Sequence, residues 1–176
     1  DDLPLNVSRE ILQDSAVVRS IKKQVVKRVL DLLEEMARDR ADDYKKFWEL
    51  FGSVLKEGFV SDYEHREKLA SLVRYESTHG EGLVSLEQYV SRMPEAQKDI
   101  YFAFGESVKA LSDSPYLETL RKKKFEVLYM TDPVDEWASE NIREFKGKKL
   151  VSAMRADLEL GEHEQPVLLG PERGRA

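Results

Sequence analysis

Apolar residues recur at steps of three and four through the first part of the chain. Val18, Ile21, Val25, Val29, Leu32 and Met36 would share one face of a long helix, capped by Asp14 or Ser15 and ending near Asp39. A short turn, Arg9 to Gln13, is predicted before it, capped by Ser8. Tyr44, Phe47, Trp48, Phe51 and Leu55 predict a second helix over Asp42 to Lys56, with Gly58 at its end. Leu69, Leu72 and Val73 predict a third over Tyr63 to Arg74, followed by a loop from Glu76 to Gly82.

Beyond this loop the pattern changes. Ser85 with Gln88 three residues on predicts a capping box opening a short helix through Arg92. Ile100 to Phe104, Phe125 to Met130 and Leu150 to Met154 are short runs of apolar and aromatic residues, and predict strands. Between them, Ser114-Pro115 starts one helix and Asp132-Pro133 leads into another, from Val134 to about Lys146, stopped by Gly147. Strand, helix, strand, helix, strand predicts a small unit with a mostly parallel sheet. The class is therefore mixed, helix-rich α/β: a helical coil followed by a small α-β-α unit. Residues 158–176 mix Gly, Pro and charge without periodicity and are expected to form a disordered tail.

Composition narrows the functions open to such a fold. Over 176 residues the net charge is −6, which argues against general affinity for nucleic acid or for an anionic membrane. No apolar run reaches the length of a membrane span. Cysteine is absent, which removes disulfides, thiolate metal sites and cysteine nucleophiles, and suits a reducing cytoplasm. The three histidines, His65, His79 and His163, lack ligand spacing, so no metal site is expected. There is no P-loop, no dinucleotide fingerprint and no nucleophile elbow. The opening residues Asp1-Asp2-Leu3-Pro4 include no initiator Met and read as those of an excised fragment.

Three places carry candidate chemistry. The cluster Arg121-Lys122-Lys123-Lys124 sits at a helix carboxyl end, where the macrodipole already favours cations. Arg9 lies instead in a first helical turn, against the local field; either it meets a phosphate oxyanion there or it pairs with Asp1, Asp2 or Asp14. Trp137 falls about 70–80° from the centre of the stripe formed by Val134, Ala138, Asn141, Ile142 and Phe145, beside Asp135 and Glu136. That position fits a half-covered core edge or a contact for a partner equally well.

The stretch Asp2 to Gln13, with Leu3-Pro4-Leu5-Asn6-Val7-Ser8-Arg9-Glu10-Ile11-Leu12 within it, closely resembles the middle segment of the 90-kilodalton heat-shock chaperones, the bacterial branch being nearest. The likeness continues through Tyr44 to Trp48, Leu55 to Gly58, Leu86 to Met93, Leu120 to Lys123, Asp135-Glu136-Trp137 and Glu144-Phe145, and covers residues 1 to about 156. The resemblance implies a fragment of an ATP-dependent chaperone that assists protein folding, cytoplasmic and dimeric at full length. It implies that residues 1–39 hold the catalytic-loop end of a larger subdomain plus a long connecting helix. Residues 40–81 would then be a helical coil and 82–157 a small α-β-α subdomain. It assigns Arg9 to the ATP γ-phosphate, Gln13 and Asn6 to the support of that loop, and Glu136 with Trp137 to contact with partly folded client proteins. ATP and Mg2+ would bind outside the fragment, in an amino-terminal domain, and a carboxyl-terminal domain would dimerise, so that the fragment alone is expected to be inactive. At Lys124 and Glu140 the sequence departs from the family pattern: a Gly is expected at the first, and a neutral polar residue can occupy the second. A stand-alone helical adaptor with a small α/β ligand-binding unit is the alternative.

Overall fold

A computed structural model of the protein describes residues 16–156. Helix α1 spans Ala16–Asp39 and turns at Arg40 into α2, Ala41–Ser61. Of the predicted stripe of α1, Met36 packs on the core, but the buried face is centred elsewhere. Leu30 and Leu33 are buried with Val26, Met36 and Ala37 beside them, whereas Ile21, Val25, Val29 and Leu32 remain about half exposed. In α2 the buried face is Tyr44, Trp48, Gly52, Lys56 and Phe59. Gly52 lies under the Trp48 ring, where a Cβ would stand 2.8 Å from the indole. Gly58 does not stop the helix; it makes room for Leu69 of α3, Arg66–Leu72.

The chain then forms a hairpin where the end of a helix and a loop were expected. Strand β1, Arg74–Ser77, pairs antiparallel with β2, Gly80–Ser85, and on its other side with β4, Val127–Met130. Helix α4, Leu86–Arg92, opens with the predicted capping box: the Gln88 N–H donates to Ser85 Oγ at 3.1 Å, and the Ser85 N–H donates to Gln88 Oε1 at 2.9 Å. Strand β3, Ile100–Phe104, is followed by α5, Val108–Ser112, a 3-10 turn at Pro115–Leu117 and α6, Glu118–Lys122. Beyond β4 lie α7, Asp135–Asn141, and the strands β5, Glu144–Phe145, and β6, Lys148–Ser152.

The strand order is β2-β1-β4-β3-β6-β5. The three strands read from the sequence run parallel to one another, with β3 pairing both β4 and β6. Antiparallel strands flank them on both sides, so the sheet is mixed where a mostly parallel one was expected. Its central strands are apolar throughout because both faces are covered. Ile100, Phe102, Leu128 and Met130 face a core shared with α1 to α4 and α7. Tyr101, Val127 and Tyr129 face a second core with Leu111, Leu117 and Leu120.

Candidate functional site

Helix α7 is held against α2 by charge as well as by packing. Lys56 Nζ lies 2.6 Å from Asp135 Oδ1 and 3.8 Å from Asp132 Oδ2, and both members of the closer pair are buried. The ammonium also stands 5.0 Å from the centre of the Tyr75 ring and 5.7 Å from that of Trp48, so aromatic faces complete its surroundings. Burial raises the Asp135 carboxyl above its ordinary value despite the opposing pull of Lys56. Burial, aided by Asp135 and Asp132, pushes the Tyr75 phenol well up.

This pair reorients the helix relative to the stripe expected from sequence. Its buried residues are Asp135, Ala138 and Ser139, with Ile142 at its end. At 100° per residue, the centre of that face lies about 150° from Trp137 rather than 70–80°. Trp137 is accordingly 65% exposed, and its neighbour Glu136 is exposed as well. Trp137 is therefore not a core edge. In sequence Asp135 stands next to Glu136 and looks like another solvated acid, although it is buried. The available signal was Lys56, a cation on the otherwise apolar face of α2.

A second tie joins α7 to the segment after α2. Arg66 Nη2 donates to Asn141 Oδ1 at 2.6 Å and to the Phe59 carbonyl at 3.2 Å. Asn141 Nδ2 donates in turn to the Trp137 carbonyl at 2.7 Å. The guanidinium lies over the Tyr63 ring, 3.8 Å from its centre.

Arg9, Gln13 and Asn6 lie outside the described residues, as does His163. Of the other histidines, His65 Nδ1 meets Asp62 Oδ2 at 2.8 Å in the turn before α3, and His79 sits in the β1–β2 turn. Among the described residues no cluster of potential metal ligands occurs, and no helix is long and apolar enough to cross a membrane. The basic cluster has local partners: Arg121 donates to the Ser112 carbonyl, and Lys122 pairs with Glu118 at 3.0 Å.

Comparison with known proteins bears on what this arrangement serves. The profile of the family described as Hsp90 protein matches residues 1–167. Chaperone protein HtpG of Myxococcus xanthus is 62% identical over 160 residues, covering 91% of this chain and 24% of that protein. Chaperone protein HtpG of Shewanella denitrificans is 52% identical over 168 residues, covering 93% of this chain and 26% of that protein. The chain thus spans about a quarter of the length of these relatives. Among solved structures, the middle domain of a Plasmodium falciparum heat shock protein superposes with a TM-score of 0.75 at 32% identity, covering 79% of this chain and 58% of that one. With the profile matching almost throughout and the fold that of a middle domain, the chain belongs to the Hsp90 family.

Proposed function

We propose that this chain is the carboxyl-terminal part of the middle segment of an ATP-dependent, cytoplasmic chaperone, with Glu136 and Trp137 forming part of a surface for partly folded proteins. The observation that carries the client role is the exposure of Trp137 on the solvent face of α7, in a chain so close to proteins named as chaperones. A large aromatic held in water by a rigid helix provides apolar contact area at little entropic cost on binding. The proposal includes the division into a connecting helix to residue 39, a coil over 40–81, a small subdomain over 82–157 and a tail. It also includes the two partners in the same protein, an amino-terminal ATP-binding domain and a carboxyl-terminal dimerisation domain.

In the same proposal Arg9 contacts the ATP γ-phosphate, while Gln13 and Asn6 support its loop. Nucleotide and Mg2+ bind elsewhere in the longer protein. The guanidinium then reaches the phosphate only once the domains have closed. An interaction made in that state alone lowers the barrier without tightening the ground state. Arg9→Ala in the longer protein should slow ATP turnover about tenfold or more, some 1.4 kcal/mol, and spare ATP affinity. Unchanged turnover with weakened ATP binding would refute the assignment. For the client surface, Trp137→Ala should weaken binding of a permanently unfolded protein by about 1–2 kcal/mol with folding nearly intact. A large loss of stability with client affinity unchanged would count against it.

A further inference from the structure

We infer that the surface around Trp137 extends to Tyr63, and that the two aromatics together receive an apolar polypeptide segment flanked by cations. This rests on the client reading of Trp137 above. Tyr63 is 69% exposed and Trp137 65%, so two large aromatic surfaces lie open to a partner. They come from different elements, the segment after α2 and the middle of α7, yet one continuous set of contacts links them. The Tyr63 ring is covered on one face by the Arg66 guanidinium, Arg66 grips Asn141, and Asn141 closes back on the Trp137 carbonyl. Residues three and four apart share a helix face, so Asn141 stands on the same flank of α7 as Trp137. Arg66 also donates to the carbonyl of the fully buried Phe59, which anchors the bridge to the core.

The preferred partner follows from charge. Helix α7 exposes Glu136 and Glu140, both on the flank of Trp137 away from Asn141, and carries no cation itself; the exposed Arg143 follows it and donates to the Glu140 carbonyl at 3.3 Å. Arg66 directs its hydrogen bonds to two neutral oxygens and lies on the Tyr63 ring, so its positive charge stays on the Tyr63 side of the surface. An apolar segment whose flanking lysines or arginines lie toward Glu136 and Glu140 therefore meets complementary charge there, and one with acids at that end meets repulsion. Arg66 and Asn141 are positioning residues here; Tyr63 and Trp137 make the contact.

The test uses the whole chain and a fluorescein-labelled peptide of leucine and phenylalanine flanked by lysines, followed by anisotropy. A matching peptide flanked by glutamates serves as the control. Tyr63→Ala and Trp137→Ala should each weaken binding of the lysine-flanked peptide about tenfold, leaving the thermal midpoint within a few degrees of the parent. Tyr63→Phe should bind like the parent, since the ring is kept. Arg66→Lys should bind several-fold more weakly, because a point charge cannot cover the ring as a planar guanidinium does. If Trp137→Ala binds less and Tyr63→Ala does not, the extension to Tyr63 is wrong and the client role of Trp137 stands. If Trp137→Ala is silent, that role fails and the extension falls with it. Equal affinity for the glutamate-flanked peptide refutes the charge preference. A concentration-dependent dimer abolished by Tyr63→Ala, with no peptide bound, would show that a second copy covers the surface instead.

Discussion

Lys124 adopts φ 59, in the left-handed region that costs a residue with a Cβ roughly 1 kcal/mol. Its N–H donates to the Arg121 carbonyl, and the next N–H, of Phe125, reaches back to the Leu120 carbonyl, so the position closes α6 in the way a glycine commonly does. Lys124→Gly should therefore gain about 0.5 kcal/mol, the relief of strain exceeding the extra freedom glycine gives the unfolded chain. Urea unfolding measures this, and a loss of stability would show the strain to be absent. The Lys56–Asp135 pair behaves differently, because removing one member leaves the other buried alone. Lys56→Met should cost about 3 kcal/mol near neutral pH. The carboxyl of Asp135, already raised by burial, rises further without its cation. The sign follows from a folded value above the unfolded one: the stability this group contributes is present below the unfolded value and lost as pH rises through the folded one. The deficit of Lys56→Met should thus shrink on acidification from pH about 7 to about 5. A deficit that stays constant or grows would mean that Asp135 is not the group left stranded.

At the scale of elements, the β5–β6 hairpin shows how a local signal can be outweighed by a periodic one. Val134, Ala138, Ile142 and Phe145 keep helical spacing, and helix was expected as far as Lys146. The helix in fact ends at Asn141, and Phe145 is buried from a strand instead. The turn is Lys146-Gly147, with φ 50 and 75, the two consecutive positive values of a tight hairpin whose twist matches its strands. Gly147→Ala should cost about 1 kcal/mol, all of it conformational, since a Cβ there meets no atom within 4 Å. A cost near zero would mean the turn can reshape freely. The β1–β2 hairpin was equally hidden. Gly80 and Gly82 mark a loop on sequence alone, and β4, which pairs with Glu76 and Ser77 on the other edge of β1, lies about fifty residues further along the chain. By contrast, the Ser85–Gln88 cap and the three parallel strands were legible because a side-chain geometry or an unbroken apolar run specifies them locally. In the site, the residue Trp137 was legible and its exposure was not, since that depended on a cation 79 positions earlier pairing with Asp135.

For the whole molecule, the proposed division of labour places adenine, ribose and magnesium contacts outside these residues. Calorimetry of the chain alone should then detect no ATP binding in the micromolar range. Binding of that strength would revive a self-sufficient ligand-binding adaptor. Helices α1, α2, α3 and α7 share one apolar core with the sheet, and β1 sews the end of the helical coil to β4. Coil and sheet are thereby braced together rather than strung on a linker. Helix α1 enters that core at Val26, Leu30, Leu33, Met36 and Ala37, and the stretch from Ala16 to Val25 runs on beyond it for about 15 Å at 1.5 Å per residue, with Lys23 paired to Glu64 of the body at 2.7 Å. A stiff rod held along its far half and tied once more at Lys23 acts as a lever on the body. Whatever grips α1 near Ala16 gains leverage over the body that presents Trp137, and a small tilt applied there turns that aromatic face through the same angle.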